Sequence, residues 1–216
     1  YVSGVLDGGR HGGDPSPYTA EGVFQGIKTA LKFKHGSADL AGIRVAIQGA
    51  GAVGRHLISL LILDGANVFA ADINARNCEL ALLAGATIIA CDEVPGFAAD
   101  GLAPCAMGAV INADTVGDIQ AGIVAGAANN QLADAEQGER LRQRGILYAP
   151  DFMINAGGII DVYYQRAEGG SASTSAHIAT ITASLTEVFE RSAARGVSTA
   201  AVAEGMAEEQ FLLGQY

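Results

Sequence analysis

The sequence predicts an α/β protein: a doubly wound, mostly parallel sheet with helices on both faces, followed by C-terminal helices. Three observations predict it. Half of the 216 residues are hydrophobic and only 17% are charged, enough for one substantial buried core. From Gly42 onward short apolar runs alternate with helical segments, the pattern of strands joined by crossover helices. A glycine string, Gly49-Ala50-Gly51-Ala52-Val53-Gly54, falls between the first such run and the first such helix.

Taken in order, residues 1–17 read as loop, with Gly8-Gly9, Gly12-Gly13 and Asp14-Pro15-Ser16-Pro17. Thr19 is the expected cap of a helix over Ala20–Phe33 that stops near Gly36. Ile43–Gln48 is a buried strand, Val53–Leu63 a helix ending at Asp64-Gly65, Asn67–Ala71 a second strand and Ala75–Ala84 a helix. Thr87–Cys91, Ala109–Asn112, Ile123–Gly126 and Ile146–Ala149 are further short apolar runs. After Pro150 the pattern turns helical, and Ile178, Ile181, Leu185, Val188 and Phe189 share one helix face. A last helix covers about Thr199–Leu213. The expected division is a loop and first helix (1–36), a core domain (37–150) and C-terminal helices packing back on it (151–216).

Each part of the glycine string has a physical task. Gly49 permits the tight turn after the strand. Gly51 lets a backbone approach a pyrophosphate at the helix N-terminus, where free N–H groups favour an anion. Gly54 allows close helix–strand packing, and Ala52 and Val53 start the helix. Asp72 lies eighteen residues beyond Gly54, at the end of the second strand, where a carboxylate accepts hydrogen bonds from adenosine ribose hydroxyls. It would repel a 2′-phosphate, which favours NAD over NADP, although Arg76 stands nearby. The arrangement is that of a Rossmann-type dinucleotide site; capping of the next turn is the plainer role for Asp72.

Net charge is −10 with an isoelectric point near 4.7, against broad nucleic-acid binding. The single basic cluster, Arg140, Arg142 and Arg144, reads as a solvated helix end. No apolar run reaches the ~18 residues of a membrane span. Cys78, Cys91 and Cys105 lack CxxC spacing and read as core thiols of a reducing, cytoplasmic compartment. The four histidines (His11, His35, His56, His177) lack metal-ligand spacing, so no metal is expected. Lys28, Lys32 and Lys34 read as one solvated helix face.

Four further segments accompany the glycine string. They are Gly13-Asp14-Pro15-Ser16-Pro17-Tyr18-Thr19-Ala20, Ala103-Pro104-Cys105-Ala106-Met107-Gly108-Ala109, Ala125-Gly126-Ala127-Ala128-Asn129-Asn130-Gln131-Leu132 and Tyr148-Ala149-Pro150-Asp151-Phe152-Met153-Ile154-Asn155-Ala156-Gly157-Gly158. In this order they resemble the Glu/Leu/Phe/Val dehydrogenase family across essentially the whole chain, most of all its leucine and phenylalanine branches. The resemblance implies NAD-dependent oxidative deamination of an L-amino acid to a 2-oxo acid and ammonia, by a homo-oligomer.

It also implies residue roles. Thr19 and Asn129 lie near the nicotinamide, with Asn129 holding its carboxamide. The backbone of Ala103, Pro104 and Cys105, and the segment around Ala127, border the cofactor. Asn155 reaches the substrate, and Gly157-Gly158 lets the chain pass close to it. From the residues alone, each asparagine fits a left-handed turn equally well. Ile178 and Ile181 match the family's side-chain pocket, excluding a glutamate carboxylate and favouring branched aliphatic substrates over phenylalanine; ordinary core is their alternative role.

The family takes its catalytic lysines and aspartate from a separate N-terminal domain. Here no lysine follows a glycine-rich loop, so no catalytic residue is assigned. The chain opens at Tyr1, in a segment that reads as mid-protein without the pattern of a secretory leader. The expectation is a cofactor domain whose catalytic domain lies outside this sequence and which is inactive alone. A stand-alone NAD-binding or regulatory module is the competing expectation.

Overall fold

The computed structural model describes residues 13–166 and 171–213; Gly8-Gly9, Gly12 and His11 lie outside the described residues. Six strands, β1 Arg44–Gln48, β2 Asn67–Ala71, β3 Thr87–Ile88, β4 Gly101–Pro104, β5 Ile123–Val124 and β6 Leu147–Tyr148, form one parallel sheet in the order β3-β2-β1-β4-β5-β6. The helices are α1 Ser16–His35, α2 Ala52–Leu63, α3 Ala75–Leu83, α4 Ala135–Gln143, α5 Asp151–Ile154, α6 Gly157–Arg166, α7 Ser171–Arg195 and α8 Thr199–Leu213. The expected doubly wound α/β sheet is present.

Alternation along the strands sorts side chains between two cores. Val45 and Ile47 of β1, with Val68, Ala70 and Ala103, pack under α1, α2 and α7. Ala46, Ala71, Leu102 and Val124 face the opposite layer, where Leu141 of α4 shares the cover with Val94, Ile111, Val116 and Ile119 from irregular chain. α1 buries Ala20, Val23, Ile27, Ala30 and Leu31 at helical spacing, against α2, α6 and α7. The face of α7 read from the sequence is buried as expected, from Ile178 to Phe189.

Several expectations need correction. α1 begins at Ser16, so Thr19 lies inside the helix, where its N–H and hydroxyl both donate to the Pro15 carbonyl. Asp14 does the capping, accepting from the Ser16 N–H and hydroxyl, and these bonds hold its carboxyl below the usual range. Ala109–Asn112 is not a strand: Asn112 accepts from the N–H groups of Asp114 and Thr115, and only an isolated bridge pairs Ile111 with Leu132. Local side-chain bonds of this kind compete with a ladder.

β4 went unpredicted because Gly101 and Pro104 are poor strand formers. Pairing on both sides makes it a strand nonetheless. In the basic cluster, Arg140 and Arg142 pair with Glu136 and Glu139 on α4. Arg144 instead reaches back to the Val116 and Ile119 carbonyls.

The lysines do not form one solvated face. Lys28 pairs with Asp64 at 2.5 Å, at the C-terminus of α2. Lys34 donates to the Gly122 and Gly145 carbonyls at 2.8 and 2.5 Å, just ahead of β5 and β6, and burial lowers its pKa. Only Lys32 is left exposed.

Candidate functional site

The strand order reverses between β1 and β4, which opens a crevice beyond the carboxyl ends of these strands. The glycine turn stands at its centre. Gly49 has φ +100°, a conformation that disfavours any side chain, and a Cβ there would come within 2.7 Å of Ala106. A Cβ on Gly54 would meet the Gly49 carbonyl oxygen at 2.0 Å, so the start of α2 is pressed against the turn as expected. At Gly51 a Cβ would meet nothing within 4 Å. This residue caps α2 without a side chain, and the first-turn N–H groups at Ala52, Val53 and Gly54 have no intrahelical acceptor. Open space, free donors and the positive end of a helix dipole fit a pyrophosphate.

Asp72 stands beside this turn with more protein partners than expected. Its Oδ2 accepts from the Ala50 N–H at 2.8 Å and Asn77 Nδ2 at 3.1 Å; Oδ1 accepts from the Asn74 N–H at 2.8 Å. A carboxylate offers about four acceptor sites, which leaves room at Oδ1 for one ribose hydroxyl rather than two. Arg76 pairs with Glu79 at 2.9 Å, so its charge is already partnered.

The β4 segment departs from expectation. Ala103 and Pro104 are buried strand residues facing the cores, and the Cys105 N–H extends the ladder to the Gln48 carbonyl. Exposed backbone at the crevice begins at Ala106. Burial pushes the Cys105 thiol up to about 11, so it is no nucleophile.

After β5 and β6 the structure brings together the two asparagines singled out in the sequence. Asn155, the C-cap of α5, donates through Nδ2 to Asn129 Oδ1 at 2.7 Å and to the Ala127 carbonyl at 3.2 Å. The left-handed position belongs to the neighbour, Asn130, with φ +53°. The Nδ2 donors of Asn129 and the Oδ1 acceptor of Asn155 have no partner among the described residues.

Gly157 and Gly158 serve packing rather than passage near a ligand. A Cβ on either would meet the Tyr18 carbonyl oxygen at 1.9 Å or Thr19 Oγ1 at 2.5 Å. These close approaches place Thr19 beside the first turn of α6, next to Asn155.

Ile178 has no accessible surface and Ile181 is buried with it, packed in the core. Another pair three apart, Ile159 and Val162, lies on α6 one turn beyond Asn155; Ile159 is 73% exposed and Val162 half-buried. Its signal in the sequence is the apolar pair Ile159-Ile160, four residues after Asn155. Tyr148, Asp151 and Gln131, buried and hydrogen-bonded near the two asparagines, carry no such local signal. Among the described residues no three His, Cys, Asp or Glu side chains are grouped to hold a metal, and no helix is long and apolar enough to cross a membrane.

Strand order, switch point and glycine turn define a Rossmann-type doubly wound domain. The chain belongs to the Glutamate/Leucine/Phenylalanine/Valine dehydrogenase family, whose model matches residues 71–209. A leucine dehydrogenase from Bacillus cereus is 36% identical over 211 residues, covering 97% of this chain and 58% of that protein. A phenylalanine dehydrogenase from Bacillus thermotolerans is 34% identical over 215 residues, covering 97% of this chain and 56% of its own. The crystal structure of L-tryptophan dehydrogenase from Nostoc punctiforme superposes with TM-score 0.87 at 38% identity, over 91% of this chain and 61% of that one. The chain thus spans somewhat over half the length of the curated relatives it matches.

Proposed function

We propose that this chain is the cofactor-binding part of an NAD-dependent amino-acid dehydrogenase. The reaction converts an L-amino acid, NAD⁺ and water into a 2-oxo acid, ammonium, NADH and a proton. The observation that carries the reading is the Asn129–Asn155 pair at the same sheet edge as the glycine turn. A bound nicotinamide would supply the hydride acceptor for the amino acid's Cα. The start of α2 holds the pyrophosphate, Asp72 accepts from a ribose hydroxyl, Asn129 offers Nδ2 to the carboxamide, and Asn155 offers Oδ1 to the substrate amine. Thr19 lines the same end of the crevice.

Asp72 favours NAD over NADP because a 2′-phosphate would meet its charge while Arg76 is held by Glu79. The likeness to leucine dehydrogenases supports an apolar substrate side chain, leucine or another branched-chain residue. Phenylalanine is the alternative, on the sequences Cys105–Gly108 and Gly126–Asn130. In this reading none of the three lysines handles the proton: all lie on α1, Lys28 and Lys34 engaged at the amino ends of the strands and Lys32 exposed on the same helix. The full-length protein is expected to be a cytoplasmic homo-oligomer.

Titration of the chain with NAD and NADP tests the cofactor, and equal affinity would overturn the role of Asp72. NADH formation with a panel of L-amino acids, on this chain and on the longest product of its gene, tests the activity. Turnover of branched-chain substrates is expected from the longer product alone. Turnover by these 216 residues would place the base within them. NAD binding without turnover in the longest product would favour a regulatory module.

A further inference from the structure

Two buried polar side chains stand behind the asparagine pair. Asp151 is 8% exposed and Tyr148 2%. The Tyr148 hydroxyl donates to Asp151 Oδ1 at 2.7 Å, and Asp151 Oδ2 accepts the Asn130 backbone N–H at 2.6 Å. No cation pairs with Asp151 among the described residues. A carboxylate removed from water without a cation is tolerated only when hydrogen bonds replace its hydration, and these two donors supply one bond to each oxygen. Burial and the adjacent carboxylate push the Tyr148 phenol far above its ordinary value, so it remains a proton donor.

The placement of this pair gives it a use. Tyr148 ends β6, and Asp151 opens the short helix α5 whose C-cap is Asn155. Asn130 follows Asn129 on the β5 loop and sits at φ +53°, a left-handed position that asparagine tolerates. One carboxylate therefore joins the loop carrying Asn129 to the helix ending in Asn155. Fully buried Gln131 adds a second grip on that loop, donating to the Gly126 and Ala128 carbonyls at 2.8 and 3.0 Å.

We propose that Tyr148 and Asp151 are positioning residues that fix the spacing of Asn129 and Asn155, and so orient the nicotinamide end of the dinucleotide without touching it. The proposal rests on the reading of the crevice as a dinucleotide site. Its test compares NAD with ADP-ribose, which keeps the adenosine and pyrophosphate but lacks the nicotinamide. Calorimetric titration of the full chain should show NAD weakened about tenfold by Tyr148→Phe, which removes one charge-assisted hydrogen bond, and at least as much by Asp151→Ala, which removes two. ADP-ribose affinity should stay within about twofold, because the start of α2 is untouched. Asp151→Asn keeps an acceptor for the Asn130 N–H and should lose less than Asp151→Ala.

Equal weakening of both ligands would show that the pair holds the fold in general, and would overturn the proposal. Unchanged NAD affinity in both Tyr148→Phe and Asp151→Ala would overturn it as well. If the unaltered chain bound neither ligand, the dinucleotide reading itself would fall, and the positioning role with it.

Discussion

The two ends of the sheet use polar groups in opposite ways. At the amino ends of the strands they are consumed by the fold: Lys34 satisfies two carbonyls, Lys28 pairs with Asp64, and Asp100 accepts the Arg44 N–H at 2.7 Å. At the carboxyl ends they keep unused capacity, in the first-turn N–H groups of α2, one acceptor site on Asp72 and the outward atoms of Asn129 and Asn155. A polar group with no protein partner is kept at little cost only where solvent or a ligand supplies one. The comparison teaches that spare hydrogen-bonding capacity gathers at the carboxyl edge, as the proposed dinucleotide site requires, while the amino edge spends its polar groups on stability. Variants at the first should change binding, and variants at the second should change melting.

The largest effect is expected where both would change together. Gly54→Val forces a side chain onto the Gly49 carbonyl, displaces the start of α2 and should cost about 3 kcal/mol or more, with loss of NAD binding. Thermal melts and NAD titration check it, and a variant that binds NAD normally would break the comparison.

Next comes Asn155→Ala, measured in the longest, active form of the protein. Loss of a bond to a charged amine should lower kcat/KM by about 10- to 100-fold. The melting temperature should fall by no more than about 4 °C, the shift that about 1 kcal/mol produces in a domain of this size.

At the other edge, Lys34→Met leaves two carbonyls without their donor and should lower stability by about 1–3 kcal/mol while NAD affinity is unchanged. The same variant has a pH signature. Burial holds the folded pKa of Lys34 below 10.5, so the unfolded chain binds the extra proton in the alkaline window just under that value. Stability should therefore rise with pH across this window in the parent chain, and Lys34→Met should lack that rise. Denaturant titrations at several alkaline pH values measure it. The smallest effect belongs to Lys28→Ala, whose partly exposed ion pair should contribute under about 1 kcal/mol by chemical denaturation.

Much of the carboxyl edge was legible because its demands are local. The glycine turn needs particular residues at fixed spacing, and the strand before it and helix after it carry their own periodicity. The amino edge was not legible, because Lys34 meets carbonyls 88 and 111 positions away and nothing around it announces that. Asn129 and Asn130 show a similar limit at the site itself. Either asparagine suits a left-handed turn, and the Asp151 carboxylate, brought in from the start of α5, meets the N–H of the second. Ile178 and Ile181 show the same limit, because helical spacing identifies a buried face but not what lies against it.

By itself the sequence determined the doubly wound fold and the glycine turn between β1 and α2, since each follows from residue type and short-range spacing, while the two asparagines were singled out through the family resemblance. Tertiary structure alone decided that Gly101–Pro104 is a central strand, that Asp72 is already largely occupied, and that Asn129 and Asn155 meet at 2.7 Å. The physical reason is common to all three. Pairing, burial and hydrogen-bond occupancy depend on which distant segments the fold brings into contact, and local propensity does not encode those partners.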